Sequence, residues 1–213
     1  MLSWRACRQD AARGLYRSPI IPELIVLAGA NGVGKTTFAR ANLRAFIDRE
    51  AFLNADDIAR DVNWSDVQAV AVEAGRRLLR RRQRILEQRQ SFSIETTLAS
   101  RTLLRFVHRV KNEGYSVKLV FLFTPFPSVN ELRVKQRVMS GGHNVDTDTI
   151  RRRHKLGLRY FMQYWEACRE GLIFDARTSA VREIARKDDS GTRIVDPAGW
   201  SLLQERIAAA SAT

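Results

Sequence analysis

Gly29 to Thr36 reads GANGVGKT, which meets the pattern G-x-x-x-x-G-K-[ST] at every required place. Glycines at 29, 32 and 34 allow the backbone to curl until successive N–H groups converge on phosphate oxygens. Lys35 is then placed to reach the β- and γ-phosphates of a bound ATP, and the Thr36 hydroxyl to ligate Mg²⁺. The nucleotide-binding set is Gly29, Ala30, Asn31, Gly32, Val33, Gly34, Lys35, Thr36 and Thr37. Two acidic steps accompany this loop. The first is Asn54-Ala55-Asp56-Asp57, where a carboxylate could take the proton of a substrate hydroxyl as it attacks the γ-phosphate. An N-cap for the following helix is the structural alternative, and both hold together if Asp56 faces the site while Asp57 caps. The second is Ser93-Ile94-Glu95-Thr96-Thr97-Leu98, whose Glu95 could hold a substrate hydroxyl or a Mg²⁺-bound water. A third group is basic: Arg133, Lys135 and Arg137 before Gly141-Gly142-His143, and Arg151, Arg152 and Arg153 after it. Phosphoryl transfer develops charge on equatorial oxygens, so arginines that close over the nucleotide serve it. Arg137 and Arg153 are the preferred pair, with the two glycines as a hinge.

The elements that must position these residues alternate regularly. Leu24–Ala28 is an apolar run suited to a central parallel strand, and the helix after the glycine loop spans about 35–47. A short strand is expected over 51–54, and an amphipathic helix over 64–90 with Ser65 as its N-cap. Further strands are expected over 92–95, 117–123 and 172–175. Ser100 opens a helix that stops near Gly114, Pro127 starts one that runs to about Ser140, and another covers about 147–169. A hairpin around Asp188 to Gly191 precedes a last helix after Pro197. This alternation predicts an α/β fold with a doubly wound, mostly parallel sheet of the P-loop kinase type. The organisation is an N-terminal extension over 1–22 and a single kinase domain over 23–213, with a small helical lid at about 133–155.

The bulk properties narrow the class. At 213 residues the chain can bury a sizeable core, and the net charge of +13 favours phosphate-bearing ligands. Much of that charge lies between Gly75 and Gln90, in Arg76, Arg77, Arg80, Arg81, Arg82, Arg84 and Arg89, read as a mainly solvated helix face. Cys7 and Cys168 have no metal-ligand spacing and suit a reducing compartment, the cytoplasm. Lys or Arg interrupts every apolar run before the ~20 residues a membrane span needs, so no membrane partner is expected. The segment Met1 to Pro22 is Arg-rich but lacks the serines of a transit peptide and the apolar core of a secretory signal.

Taken in order, GANGVGKTT, FLNADDIAR, FSIETTLAS and RVMSGGHNVDTDTIRRR resemble the zeta-toxin-like family of P-loop kinases. The resemblance covers about residues 24 to 175 and implies that Asp56 is the catalytic base. It implies Glu95 and Thr97 as contacts to a sugar-nucleotide substrate, with His143 added to that set, and Arg137 and Arg153 as charge-neutralising lid arginines. It further implies UDP-N-acetylglucosamine as a candidate acceptor and a small antitoxin as a protein partner. Other classes fit less of the chain. An ABC-type ATPase would use Met139-Ser140-Gly141-Gly142-His143 as its signature loop and Leu172 to Asp175 as its Walker B strand, but Ala176 stands where a glutamate is needed. A GTPase would show an N-K-x-D step, which is absent. A nucleic-acid-directed kinase or NTPase fits the P-loop and the arginine-rich helix, yet no aromatics interleave with those arginines.

Overall fold

A computed structural model describes residues 21–42, 52–53, 71–178 and 180–212. Among the described residues, seven strands form one sheet in the order β2-β3-β1-β4-β5-β6-β7. They are β1 (Glu23–Gly29), β2 (Phe52–Leu53), β3 (Phe92–Thr96), β4 (Ser116–Phe123), β5 (Glu170–Asp175), β6 (Arg182–Asp188) and β7 (Gly191–Ile194). The first five run parallel, while β6 and β7 extend the β5 edge as an antiparallel hairpin. This mostly parallel sheet with helices on both faces agrees with the fold class expected from the sequence.

Strands β1 and β4 occupy the centre because they are apolar on both faces. Leu24 to Ala28 and Val117 to Phe123, Lys118 apart, are aliphatic or aromatic and almost wholly buried. The chain leaves β1 for the β2 edge, returns through β3, and crosses to β4 on the other side. The gap between β1 and β4 is therefore the topological switch point, beyond whose carboxyl ends ligands of open α/β sheets collect. The glycine loop emerges there.

The helices are α1 (Lys35–Asn42), α2 (Ala71–Glu87), α3 (Arg101–Asn112), α4 (Pro127–Met139), α5 (Thr147–Ala167) and α6 (Pro197–Ser211). On one face of the sheet α1 packs Phe38 and Ala39 onto Leu27, Leu122 and Phe174. On the other, α2, α3, α5 and α6 contribute Ile85, Val107, Phe161 and Leu203 to the larger core around Val26 and Leu119. Ser100 caps α3 by accepting from the Leu103 N–H, and Gly114 follows its end at φ +85°. Pro127 sits in the first turn of α4, where its missing N–H costs nothing. The expected strand over 51–54 is described at 52–53 and the expected helix over 64–90 at 71–87. Residues 51, 54 and 64–70 lie outside the described residues, whereas Gln88 and Arg89 form a turn, with Arg89 at φ +50°, so the helix stops three residues before the expected end. Cys168 is buried in the larger core, and burial pushes its thiol up to about 12, so it is inert at neutral pH. Cys7 lies outside the described residues. Among the described residues, no helix is long and apolar enough to cross a membrane.

Candidate nucleotide and phosphoryl-transfer site

The glycine loop needs its glycines for stated reasons. Gly29 has φ +145°, and a Cβ there would lie 2.6 Å from the Leu122 carbonyl oxygen of β4. Gly32 has φ +80°, and its Cβ would lie 2.6 Å from the Asn130 carbonyl oxygen of α4. The loop is thus pressed between β4 and α4, which leaves space only for hydrogen at these positions. Lys35 follows, buried, and its Nζ donates to the carbonyls of Gly29 (2.9 Å) and Ala30 (3.0 Å). The same ammonium stands 3.7 Å from Glu95 Oε1.

Glu95 reaches this point because β3 pairs in register with β1, Leu27 opposite Glu95 and Ala28 opposite Thr96. Its other oxygen accepts the Thr36 hydroxyl at 3.0 Å. Of Lys35, Asp56 and Glu95, expected from three strand ends to share a site, Lys35 and Glu95 are brought together, with Thr36 beside them, while Asp56 lies outside the described residues. A hydroxyl and a carboxylate at the start of α1 also form the oxygen donor set that Mg²⁺ takes beside substrate phosphates, so these two residues fit that ion. Among the described residues no cluster of three or more His, Cys, Asp or Glu could hold a metal without such help. Thr37 lies exposed on the first turn of α1, and Ala30 and Val33 close the loop through a 3.2 Å Val33 N–H to Ala30 carbonyl bond.

Beyond Glu95 the chain turns sharply. Leu98, wholly buried, has φ +59°, a left-handed conformation that is unusual for a bulky side chain. Its N–H donates to Thr96 Oγ1 (3.0 Å) and its carbonyl accepts from Ser100 N–H (2.8 Å). Such strain is retained where surrounding contacts over-determine it. It aims the Thr97 carbonyl at α5.

Helices α4 and α5 lie against one another and supply the basic residues. Arg153 Nη1 stands 3.5 Å from Asn31 Oδ1 of the glycine loop. Arg137, exposed, donates instead to the His143 carbonyl at 2.7 Å and so binds the connecting loop to α4. Gly141 and Gly142 close α4 with the two bonds of a Schellman cap, Gly142 N–H to Arg137 carbonyl (2.8 Å) and Gly141 N–H to Val138 carbonyl (2.9 Å). A Cβ on Gly142 would meet Arg137 Cγ at 2.5 Å. The glycine pair is a tight helix stop, where the sequence suggested a hinge. Arg151 pairs with Glu131 at 2.8 Å and ties the two helices together. Arg152 and Lys135 are exposed.

Several residues of the site carry weak sequence signals. Arg133 gathers three carbonyls: Val33 in the glycine loop (3.4 Å), Ala176 (2.8 Å) and Arg177 (2.9 Å) beyond β5. It holds the loop against the end of β5. His154, next to Arg153, places Nε2 2.9 Å from the Thr124 carbonyl, and burial lowers its pKa despite that bond. Asn130, fully buried, donates to Thr124 Oγ1 at 2.8 Å. Asp175 is engaged by Arg177 at 2.7 Å, and Glu95 is a carboxylate placed at the glycine loop. Asp56 and Asp57 lie outside the described residues.

Comparison with known proteins settles the family. The zeta toxin family model matches residues 9–191. The chain belongs to the zeta toxin family. Its glycine loop, G-x-x-x-x-G-K-T over Gly29 to Thr36, is that of a P-loop protein. A Haemophilus influenzae protein of no stated function is 28% identical over 130 residues, covering 61% of this chain and 91% of that one. The crystal structure of AvrRxo1-ORF1:-ORF2 with ATP superposes with a TM-score of 0.73 at 14% identity, over 86% of this chain. This chain spans only 63% of the length of that structure. A structure from the PezAT chromosomal toxin-antitoxin system of Streptococcus pneumoniae gives 0.60 at 17% identity, covering 92% of this chain and 86% of that one. At these identities the two structures share the fold with this zeta toxin family member.

Proposed function

We propose that this protein transfers the γ-phosphate of ATP to a hydroxyl of a small substrate, with a UDP-amino sugar such as UDP-N-acetylglucosamine as the first acceptor to test. The contact that carries the reading is Glu95 joined to both Thr36 (3.0 Å) and Lys35 (3.7 Å) at the switch point. A carboxylate held there is poised over the phosphate end of a nucleotide. In this scheme Lys35 clamps the β- and γ-phosphates, and Thr36 with Glu95 would hold Mg²⁺, which neutralises charge on those phosphates. Asp56 removes the acceptor's hydroxyl proton; the freed oxygen bonds to the γ-phosphorus as the bond to the β-phosphate oxygen breaks and ADP leaves. Thr97 and His143 line the acceptor side. Arg153 meets the charge on the transferring group, with Arg137 on the same lid, about 133–155. The kinase domain is 23–213, preceded by an extension over 1–22, and it works in the cytoplasm, where ATP is supplied.

A small protein partner that silences the enzyme is part of the proposal. It is supported by family membership and by the two structures above, one a two-component complex and one from a toxin-antitoxin system. The exposed arginines of α2 (Arg76, Arg77, Arg80 and Arg84) favour a second acceptor class, nucleic acid, over any ATPase alternative.

The deciding experiment incubates the protein with γ-labelled ATP and a bacterial metabolite extract, then identifies the labelled species. Label on a sugar nucleotide is expected, lost in Lys35→Ala, and lost in Asp56→Ala with ATP binding retained. Label only in free phosphate would refute phosphotransfer to a hydroxyl, and full turnover by Asp56→Ala would refute the base. Label on RNA or DNA, with binding that collapses between low and moderate salt, would transfer the assignment to the second class.

A further inference from the structure

One turn of α5 touches three strand ends of the site at once. Arg153 reaches Asn31 after β1, His154 meets the Thr124 carbonyl after β4, and Gly157 is seated on the Thr97 carbonyl after β3. A small cavity lined by Ala30, Thr97, Thr124, Arg153, His154 and Gly157 lies between these contacts. The Gly157 approach is the closest. A Cβ at that position would fall 2.4 Å from the Thr97 carbonyl oxygen, well inside contact distance. A glycine in the middle of a 21-residue helix weakens that helix, so its presence calls for a compensating approach of this kind.

We infer that Gly157 is a positioning residue for Arg153, setting the depth at which α5 presents that guanidinium to the nucleotide's terminal phosphate. The Thr97 carbonyl yields less readily than the helix, because its peptide is held by the bonds of Leu98 to Thr96 and Ser100. Leu98 is buried in the left-handed region with both of its peptide groups bonded, and the Tyr164 hydroxyl of α5 donates to the Ser100 carbonyl at 2.6 Å. An added methyl therefore moves the helix. Opening the 2.4 Å approach to an ordinary 3.4 Å contact lifts this turn of α5 by about 1 Å. Arg153 precedes Gly157 by one turn and moves with it, and misplacements of about 1 Å at a reacting centre cost about 100-fold. His154 ties the same turn to β4 through its 2.9 Å contact with the Thr124 carbonyl, so a shift of this turn strains that contact as well.

Because Arg153 faces the γ-phosphate only under the function proposed above, the test separates the two claims. Affinities of ADP and of the non-hydrolysable analogue AMP-PNP, both with Mg²⁺, are measured by titration calorimetry for wild type, Arg153→Ala, Gly157→Ala and the double variant. Arg153→Ala and Gly157→Ala are each expected to weaken AMP-PNP by roughly 10-fold to 100-fold, the worth of a hydrogen bond between charged groups, with ADP changed less than about 2-fold. The double variant is expected to be no weaker than Arg153→Ala alone, since both remove one contact. Additive losses, or a Gly157→Ala that keeps wild-type AMP-PNP affinity while Arg153→Ala loses it, would overturn the positioning role and leave the γ-phosphate assignment intact. An Arg153→Ala that binds both nucleotides like wild type would overturn the assignment itself, and the positioning role with it. If Gly157→Ala does not fold, His154→Leu replaces it: the same selective AMP-PNP loss is expected, restored in His154→Gln, whose amide can take the Nε2 place. Equal AMP-PNP affinity in those two variants would count against that tie.

Discussion

Glu95→Gln removes one charge from the site while keeping its shape. Lys35 and Glu95 have side chains only 7% and 14% exposed and stand 3.7 Å apart. At an effective dielectric of about 20, that separation corresponds to a gross attraction of about 4.5 kcal/mol. Much of it is offset, because a neutral amide no longer bears the desolvation cost of a buried carboxylate. Thr36 keeps an acceptor, although a neutral one, which weakens its 3.0 Å bond by about 1 kcal/mol. The net loss is about 1–2 kcal/mol, which for a chain of this size lowers Tm by about 2–8 °C. The measurement is thermal unfolding without nucleotide at low and at high salt. A shielded pair responds little to screening, so the deficit should persist at about 0.5 M salt. An unchanged Tm, or a deficit that vanishes in salt, would show that Glu95 does not hold Lys35 and would remove the central contact of the proposed site.

Two further outcomes follow from local geometry. Gly32→Ala places a methyl 2.6 Å from the Asn130 carbonyl at φ +80°, whereas Gly34→Ala at φ +101° meets nothing within 4 Å. The first should cost about 2–4 kcal/mol and ATP binding, and the second only the backbone strain of about 1–3 kcal/mol, measurable by denaturant unfolding with nucleotide titration. Burial alone would raise the Asp175 carboxyl, but hydrogen bonds and charge from Arg177 outweigh it and hold the group below its usual value. The stability this provides is full above the ordinary carboxylate range and is lost as pH falls through the depressed folded value. Asp175→Asn should therefore flatten the acid limb of a stability profile while changing little at pH 7 beyond the lost pair.

What the sequence revealed depended on how local the physics was. The glycine loop was legible because its backbone shape restricts residue type within eight positions; Glu95, which means little as a lone acid at a strand end, drew its signal from the expected convergence with Lys35 and Asp56 on neighbouring strand ends. Ser100 and Gly114 marked their helix ends by the same local logic. The role of Gly141 and Gly142 was harder, since a Schellman cap and a hinge use the same residue type and differ only in which carbonyls are reached. Arg133 stood undistinguished among six basic residues, because the carbonyls it serves are 43, 44 and 100 positions away. Gly157 and His154 were passed over for a like reason: their partners, Thr97 and Thr124, come from other strands and present backbone atoms that carry no side-chain signature.

The bonds from Lys35 to the Gly29 and Ala30 carbonyls have a consequence for recognition. The ammonium is already satisfied by its own loop, so a phosphate gains this residue by exchange. Whatever enters must outbid two carbonyls, and the measured affinity is the difference between two occupied states. A lone inorganic phosphate offers little beyond that swap. A triphosphate adds contacts along the loop and the start of α1, and these tip the balance. A ligand that offers several phosphates to the loop therefore has more to gain from that exchange than one that offers a single phosphate.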